Sequence, residues 1–216
     1  APLVDSDAPP RILVSGAADF AMAEVTHQAF AGAAVAPKIV VTDRCDTPLA
    51  LCRWFAERAC FEIETRQADI FDFGDAAGFD AIVTQSFLGN FAPEARLRLA
   101  RRWHDLLRPG GCCVTINRLR GARAPATTAF SDAEADAFVA RMGNDLAGIS
   151  DLLDCTATEL ATMARSYLRE KRSFPVRTRE DLAGLFEETS FELAVVEELE
   201  RADPGKPRPS GPTMPG

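Results

Sequence analysis

The chain has 216 residues, 47% of them apolar and 26% charged, which is enough for one sizeable core and ordinary for a globular domain. Its net charge of −8 argues against non-specific nucleic-acid binding, which basic surface drives. No apolar run reaches the roughly 20 residues that a bilayer crossing needs. The opening "APLVDSDAPP" is acidic and proline-rich, without a leader pattern, so a cytoplasmic protein is expected. The six cysteines are Cys45, Cys52, Cys60, Cys112, Cys113 and Cys155, and none forms a Cys-x-x-Cys pair. No metal site is therefore expected, and all six read as reduced thiols. Cys52 and Cys60 are placed on one helix, and Cys112 and Cys113 in a strand.

Strand and helix patterns alternate through the first half. "RILVS" (11–15) predicts a buried strand, and "DFAMAEVTHQAFAG" (19–32) a helix ending at Gly32. "KIVVTD" (38–43) is a second strand; "TPLALCRWFAERA" (47–59) is a helix with Pro48 in its first turn, where helix entry favours proline. "FEIETRQAD" (61–69) and "FDAIVTQSF" (79–87) are the third and fourth strands. "APEARLRLARRWHDLL" (92–107) is a helix opened by Pro93 and stopped by Pro109-Gly110-Gly111, and "CCVTIN" (112–117) a fifth strand. Short apolar strands separated by helices indicate a parallel sheet covered on both faces. Right-handed crossovers then give an α/β, doubly wound, Rossmann-like order.

Capping boxes punctuate the second half: Ser131 with Glu134, Thr156 with Glu159, and Thr178 with Asp181. They predict helices over 132–147, 157–171 and 179–189. The first two exceed the alternation, so residues from about 122 to 172 read as a helical insertion, or lid, over the open edge of the site. "FELAVVEEL" (191–199) reads as a sixth strand. One domain is expected over 1–203, and the Pro/Gly-rich tail 204–216 is expected to be disordered.

In an open parallel sheet, ligands bind outside the carboxyl ends of the strands. Those ends carry "SGAAD" after strand one, Asp43 after strand two, Asp69 after strand three, and Gln85, Ser86 and Phe87 after strand four. Acidic and amide groups recur there, with no phosphate-type lysine. A pyrophosphate needs converging N–H groups or cations. A neutral nucleoside needs a carboxylate for its ribose hydroxyls, and Asp43 suits that task, unless it only caps the next helix.

With these features the sequence resembles the class I S-adenosylmethionine-dependent methyltransferases, over residues 11–117 and more loosely over 174–199. "ILVSGAADFAMA", "VVTD", "QADIFDF", "FDAIVTQSFLGNF" and "LLRPGG" carry the resemblance. Gly16 matches the first glycine of the family's Gly-x-Gly-x-Gly loop. Ala18 and Phe20 replace the other two, and Val14 stands where the family often has an acid. The resemblance implies S-adenosylmethionine as cofactor, with S-adenosylhomocysteine as product. It implies that Gly16, Ala17, Ala18 and Asp19 form the loop, with Asp19 either capping the helix or reaching the amino-acid part. Asp43, with Arg44 beside it, would hold the ribose. Asp69 and the Ile70 backbone would meet adenine, and Gln85, Ser86 and Phe87 would lie beside the methionine portion and the methyl.

The implied reaction is in-line methyl transfer to O or N of a small-molecule acceptor, without nucleic acid or membrane, and with a homodimer left open. Arg118, first of three arginines with Arg120 and Arg123 after strand five, is placed to meet an acidic acceptor. Tyr167, in a polar cluster with Arg169, Lys171 and Arg172, could close over the sulfonium through a cation–π contact. His27 and His104 read as packing residues. Two rival readings remain at this level. A protein of the same fold could bind the cofactor without methylating. A short-chain dehydrogenase would use the Tyr-x-x-x-Lys pair Tyr167/Lys171, but its glycine-rich loop and Asn-Asn-Ala-Gly-like segment are missing.

Overall fold

The computed structural model describes residues 8–33 and 35–198. Five strands form one sheet, in the order β3-β2-β1-β4-β5. They are β1 (Arg11–Ser15), β2 (Lys38–Asp43), β3 (Ile63–Gln67), β4 (Phe79–Gln85) and β5 (Leu107–Ile116). Every pairing is parallel, with Val14 opposite Val41 on one side and Val83 on the other. Order reverses between β1 and β4, which places the switch point beside the loop after β1.

The central strands are buried on both faces, which explains their unbroken apolar runs. Leu13, Val40 and Ile82 face one core, built with Leu99, Trp103 and Leu106 of α3 (Pro93–Leu106) and Phe186 of α6 (Arg179–Glu187). Val14, Ile39 and Val41 face the other, with Ala23 of α1 (Ala21–Gln28) and Leu49 and Cys52 of α2 (Asp46–Arg58). At the amino ends of β1 and β4, Asp75 pairs with Arg11 and Asp80 with Arg108, and Asp75 also pairs with Arg66 of β3. Those carboxylates are structural.

Several boundaries differ from expectation. Helix α1 is shorter than 19–32: the Asp19 carboxylate accepts the Ala21 N–H at 2.8 Å and starts it, and the chain leaves through turns ending at Gly32, φ +86°. Cys60 lies beyond α2 in a left-handed conformation, so it shares no helix with Cys52. Strand β5 begins at Leu107, opposite Phe79, and pairing resumes at Cys112 opposite Ala81. Arg108–Gly111 thus form a bulge inside the strand, with Gly110 at φ +80° supplying the bend. Residues 191–198 form no strand; Leu199 lies outside the described residues. A strand exists only by pairing, and this segment runs along α6 and α3 instead. Phe191 meets His104 and Phe186 edge-on, and Arg179 donates to the Val196 carbonyl. The 204–216 tail lies outside the described residues.

The three capping boxes are all formed, each with its reciprocal pair of bonds. They start α4 (Asp132–Leu146), α5 (Ala157–Glu170) and α6. Helices α4 and α5 pack together, tied by Arg165–Asp136 at 2.9 Å and Arg169–Asp132 at 3.8 Å. Two-residue strands β6 (Thr128–Ala129) and β7 (Arg172–Ser173) pair antiparallel at their base. Leu119 bridges Val176, and the Arg120 and Gly121 N–H groups reach the Val176 and Arg177 carbonyls. This segment therefore leaves and rejoins the domain at one place. Among the described residues, no helix is long and apolar enough to cross a membrane.

Candidate functional site

Ser15 closes β1 and is fully buried. Its carbonyl accepts the Thr84 hydroxyl at 2.8 Å, and its own hydroxyl accepts the Trp103 indole N–H at 2.9 Å. Those bonds fix the floor beneath the loop that follows. Gly16 takes φ +76°, a conformation that favours glycine, and its N–H reaches the Thr42 carbonyl at 2.9 Å. Ala17 is buried and donates its N–H to Asp43 Oδ2 at 3.0 Å. Ala18 and Asp19 are exposed.

Asp43 is half-buried at the carboxyl end of β2. Oδ2 takes the Ala17 N–H and Oδ1 takes the Cys45 N–H at 2.8 Å. A carboxylate oxygen can accept two hydrogen bonds, so each retains one acceptor direction. Phe20, in the place of the loop's third glycine, does not enter this crevice. Its ring stacks on Phe55 of α2, centroids 4.1 Å apart at 5°. A bulky side chain is tolerated there because α2 absorbs it.

The ends of β2 and β3 are linked. Gln67 Nε2 donates to the Arg44 carbonyl at 3.0 Å, and Arg44 Nε lies 3.6 Å from Asp69 Oδ2. Asp69 also accepts the Phe71 N–H at 3.0 Å, shaping its own turn. The Ile70 side chain is 3% exposed and belongs to the core, so only its backbone could meet a ligand.

Across the switch point, Gln85 and Ser86 are exposed at the end of β4. Ser86 has φ +54° and donates its N–H to the Ile116 carbonyl at 2.7 Å. Phe87 then opens a 3-10 turn, Phe87–Asn90, and its ring lies against Gly16. A methyl group on Gly16 would sit 2.3 Å from two of its ring carbons. The glycine is thus required by packing as well as by its dihedral angle.

The remaining predicted residues are spread out. Arg118, Arg120 and Arg123 are exposed after β5. Tyr167 is 61% exposed on α5, its ring 5.8 Å from the Lys171 ammonium. Lys171 reaches toward β4 and donates to Asn90 Oδ1 at 2.9 Å. His27 stacks on Phe61. Sequence reasoning missed Arg96, which is 9% exposed and donates to the Leu88 carbonyl at 3.0 Å and to the Phe174 carbonyl. Burial holds its guanidinium pKa below the usual value. Its spacing from Leu99, Ala100 and Trp103, three, four and seven residues on, could have shown that it lies on the buried face of α3.

Residues 21–115 match the family model of the methyltransferase domain. No curated protein is matched by the chain. Among solved structures, the S-adenosylmethionine-dependent methyltransferase SibL is 22% identical, with a TM-score of 0.50, over 88% of this chain and 47% of its own. A candidate methyltransferase from Bacillus halodurans C-125 is 16% identical, with a TM-score of 0.52, over 88% of this chain and 66% of its own. The pyocyanin biosynthetic protein PhzM is 15% identical, with a TM-score of 0.52, over 86% and 46%. These likenesses are ones of fold, and the chain spans about half the length of SibL and PhzM. Over residues 21–115 the chain is thus similar to the methyltransferase domain, and its parallel sheet has the Rossmann-like order of that fold.

Proposed function

We propose that the crevice at the carboxyl ends of β3, β2, β1 and β4 holds S-adenosylmethionine, and that the chain passes its methyl group to O or N of a small-molecule acceptor. The observation that carries this reading is Asp43. Its carboxylate is fixed by two backbone N–H groups, and each oxygen keeps one acceptor direction for a ribose diol. Hydrogen bonds to a charged acceptor contribute about 1.5–3 kcal/mol each.

The residues fit the group unevenly. Its adenosine end meets a suitable donor and acceptor set: Asp69, the Ile70 backbone, and Asp43 with Arg44 beside it. Beyond the ribose the loop Gly16–Asp19 is narrow, because Phe87 covers Gly16. Gln85 and Ser86, exposed on the far side of that loop, are the groups available to the methionine portion.

The bound cofactor supplies a methyl on a sulfonium, whose positive charge already activates the leaving group. What this chain contributes is alignment and exclusion of water, holding acceptor and methyl about 3–3.5 Å apart. A dedicated base is optional. Arg118 serves as the contact for an acidic acceptor, and Tyr167 closes the site from α5, with helices α4 and α5 acting as a lid. The net charge of −8 supports a small acceptor over nucleic acid.

The covered face of Gly16 favours one second reading, a chain that binds the adenosyl compound without passing its methyl on. Calorimetry and a transfer assay separate the two. The proposal expects binding of S-adenosylhomocysteine, none of NADH, and transfer of labelled methyl from S-adenosylmethionine into small molecules of a cell extract. Binding without transfer supports the second reading; NADH binding, or no adenosyl binding, overturns both.

A further inference from the structure

Strand order sets the path of a ligand that spans this crevice. A nucleoside seated at the ends of β3 and β2 must continue over the end of β1 to reach β4. Gly16 is the first residue past β1, and Phe87 lies on it. Phe87 is half-buried, edge-on to Phe91 with centroids 4.9 Å apart. The residue before it, Ser86, holds a left-handed conformation at φ +54°, which is costly for a non-glycine residue. The ring thus sits at the end of a bent peptide and against Gly16, the first residue past β1.

The turn bearing Phe87 is fastened to the base of the α4–α5 segment. Phe174 N–H donates to the Gly89 carbonyl at 2.8 Å, and the Ser173 hydroxyl to the same carbonyl at 3.3 Å. Lys171 Nζ donates to Asn90 Oδ1 at 2.9 Å. Arg96 spans the joint from below, giving one donor to Leu88 O and another to Phe174 O. A buried guanidinium that satisfies two separate backbone carbonyls joins two segments in a fixed geometry.

We propose that Phe87 gates the cofactor crevice, and that Arg96 is the positioning residue that couples the gate to the seat of α4–α5 by holding Leu88 and Phe174 together. With the ring over Gly16, adenosine fits, because it ends at the ribose. A ligand with a chain beyond the ribose, such as S-adenosylhomocysteine, enters only as the ring leaves Gly16. Movement of the α4–α5 base then shifts affinity for the long ligand and spares the short one. This inference rests on the adenosyl-binding reading above.

The test is calorimetric titration of adenosine and of S-adenosylhomocysteine into the wild-type chain, Phe87→Ala, Phe87→Leu, Arg96→Lys and Lys171→Ala. Phe87→Ala is expected to tighten S-adenosylhomocysteine about tenfold and to change adenosine less than twofold, with Phe87→Leu between. Arg96→Lys keeps the charge but loses the two-armed span. It is expected to shift the ratio of the two affinities about threefold in the same direction, as is Lys171→Ala, which lies on the surface side of the joint. A purely structural role for Arg96 would lower thermal stability and leave that ratio alone. Parallel changes in both ligands, or weaker S-adenosylhomocysteine binding by Phe87→Ala, overturn the gate while adenosyl binding stands. Failure of both ligands to bind any form removes the adenosyl reading and the gate with it.

Discussion

Asp43, at the tip of β2, accepts the N–H of Ala17, in the loop after β1, at 3.0 Å. One carboxylate therefore shapes the loop from a neighbouring strand while keeping acceptor capacity toward the crevice. The two duties predict different costs. Asp43→Asn keeps a carbonyl oxygen for one of its backbone donors, but turns an NH₂ toward the other and toward any diol. S-adenosylhomocysteine binding is expected to weaken at least tenfold, which is about 1.4 kcal/mol, with the fold retained by circular dichroism. Unchanged affinity would remove Asp43 from the ligand site.

Gly16 tests the packing around the same loop. Gly16→Ala forces a side chain into φ +76° and into the Phe87 ring. The dihedral penalty is roughly 1–2 kcal/mol and the overpacking roughly 1–3 kcal/mol. In a Phe87→Ala background only the first remains. Urea unfolding of the four chains of this cycle should show the second substitution recovering part of the loss. Strict additivity would mean that the ring does not press on Gly16.

Thiol chemistry reports on the two cores. Burial, with its neighbour Cys112, pushes the Cys113 thiol up to about 12. Burial, with the charges of Asp19 and Asp43, pushes Cys52 up to about 11. Both stay protonated at neutral pH and are poor nucleophiles. A disulfide reagent added to the native protein should label exposed Cys45 and Cys60 first, half-buried Cys113 more slowly, and buried Cys52 only on unfolding. Rapid native labelling of Cys52 would contradict the packing of α2 against the sheet.

Helices α4 and α5 should loosen in acid. The Ser131 hydroxyl and N–H hold the Glu134 carboxyl below its usual range, and the Thr156 N–H and hydroxyl do the same for Glu159. A carboxyl depressed in the folded chain stabilises above the unfolded value of 4.5. That contribution disappears as pH falls through the lower folded value, because the unfolded chain binds more protons in that window. Far-UV circular dichroism should show the wild type losing helix below pH 4.5, and Glu134→Gln with Glu159→Gln flattening that loss. Identical acid profiles would contradict the boxes.

Local patterns were legible where the chemistry is local. A Ser or Thr with an acid three residues on reads as a capping box without knowing the rest of the fold, and all three formed. The apolar runs around Leu13, Val40 and Ile82 revealed the parallel sheet because burial on both faces leaves no alternation. What depends on distant partners was not legible. "FELAVVEEL" has strand composition, but 191–198 meet helices instead of another strand. Phe20 looked like an intrusion into the loop, yet Phe55, thirty-five residues away, takes it in. Arg96 reads as one charge among many in "PEARLRLARR" until Leu88 and Phe174 appear beside it. Asp43 was readable as a strand-end carboxylate; that it also builds the loop through Ala17 needed the pairing of β1 with β2.

The most direct measurement is a crystal structure of the chain with S-adenosylhomocysteine. Both ribose hydroxyls should lie about 2.5–3.0 Å from the Asp43 carboxylate oxygens, with adenine beside Asp69 and Ile70 and the Phe87 ring displaced from Gly16. An adenosyl group bound elsewhere, or an Asp43 still engaged by Ala17 and Cys45 alone, would contradict the account.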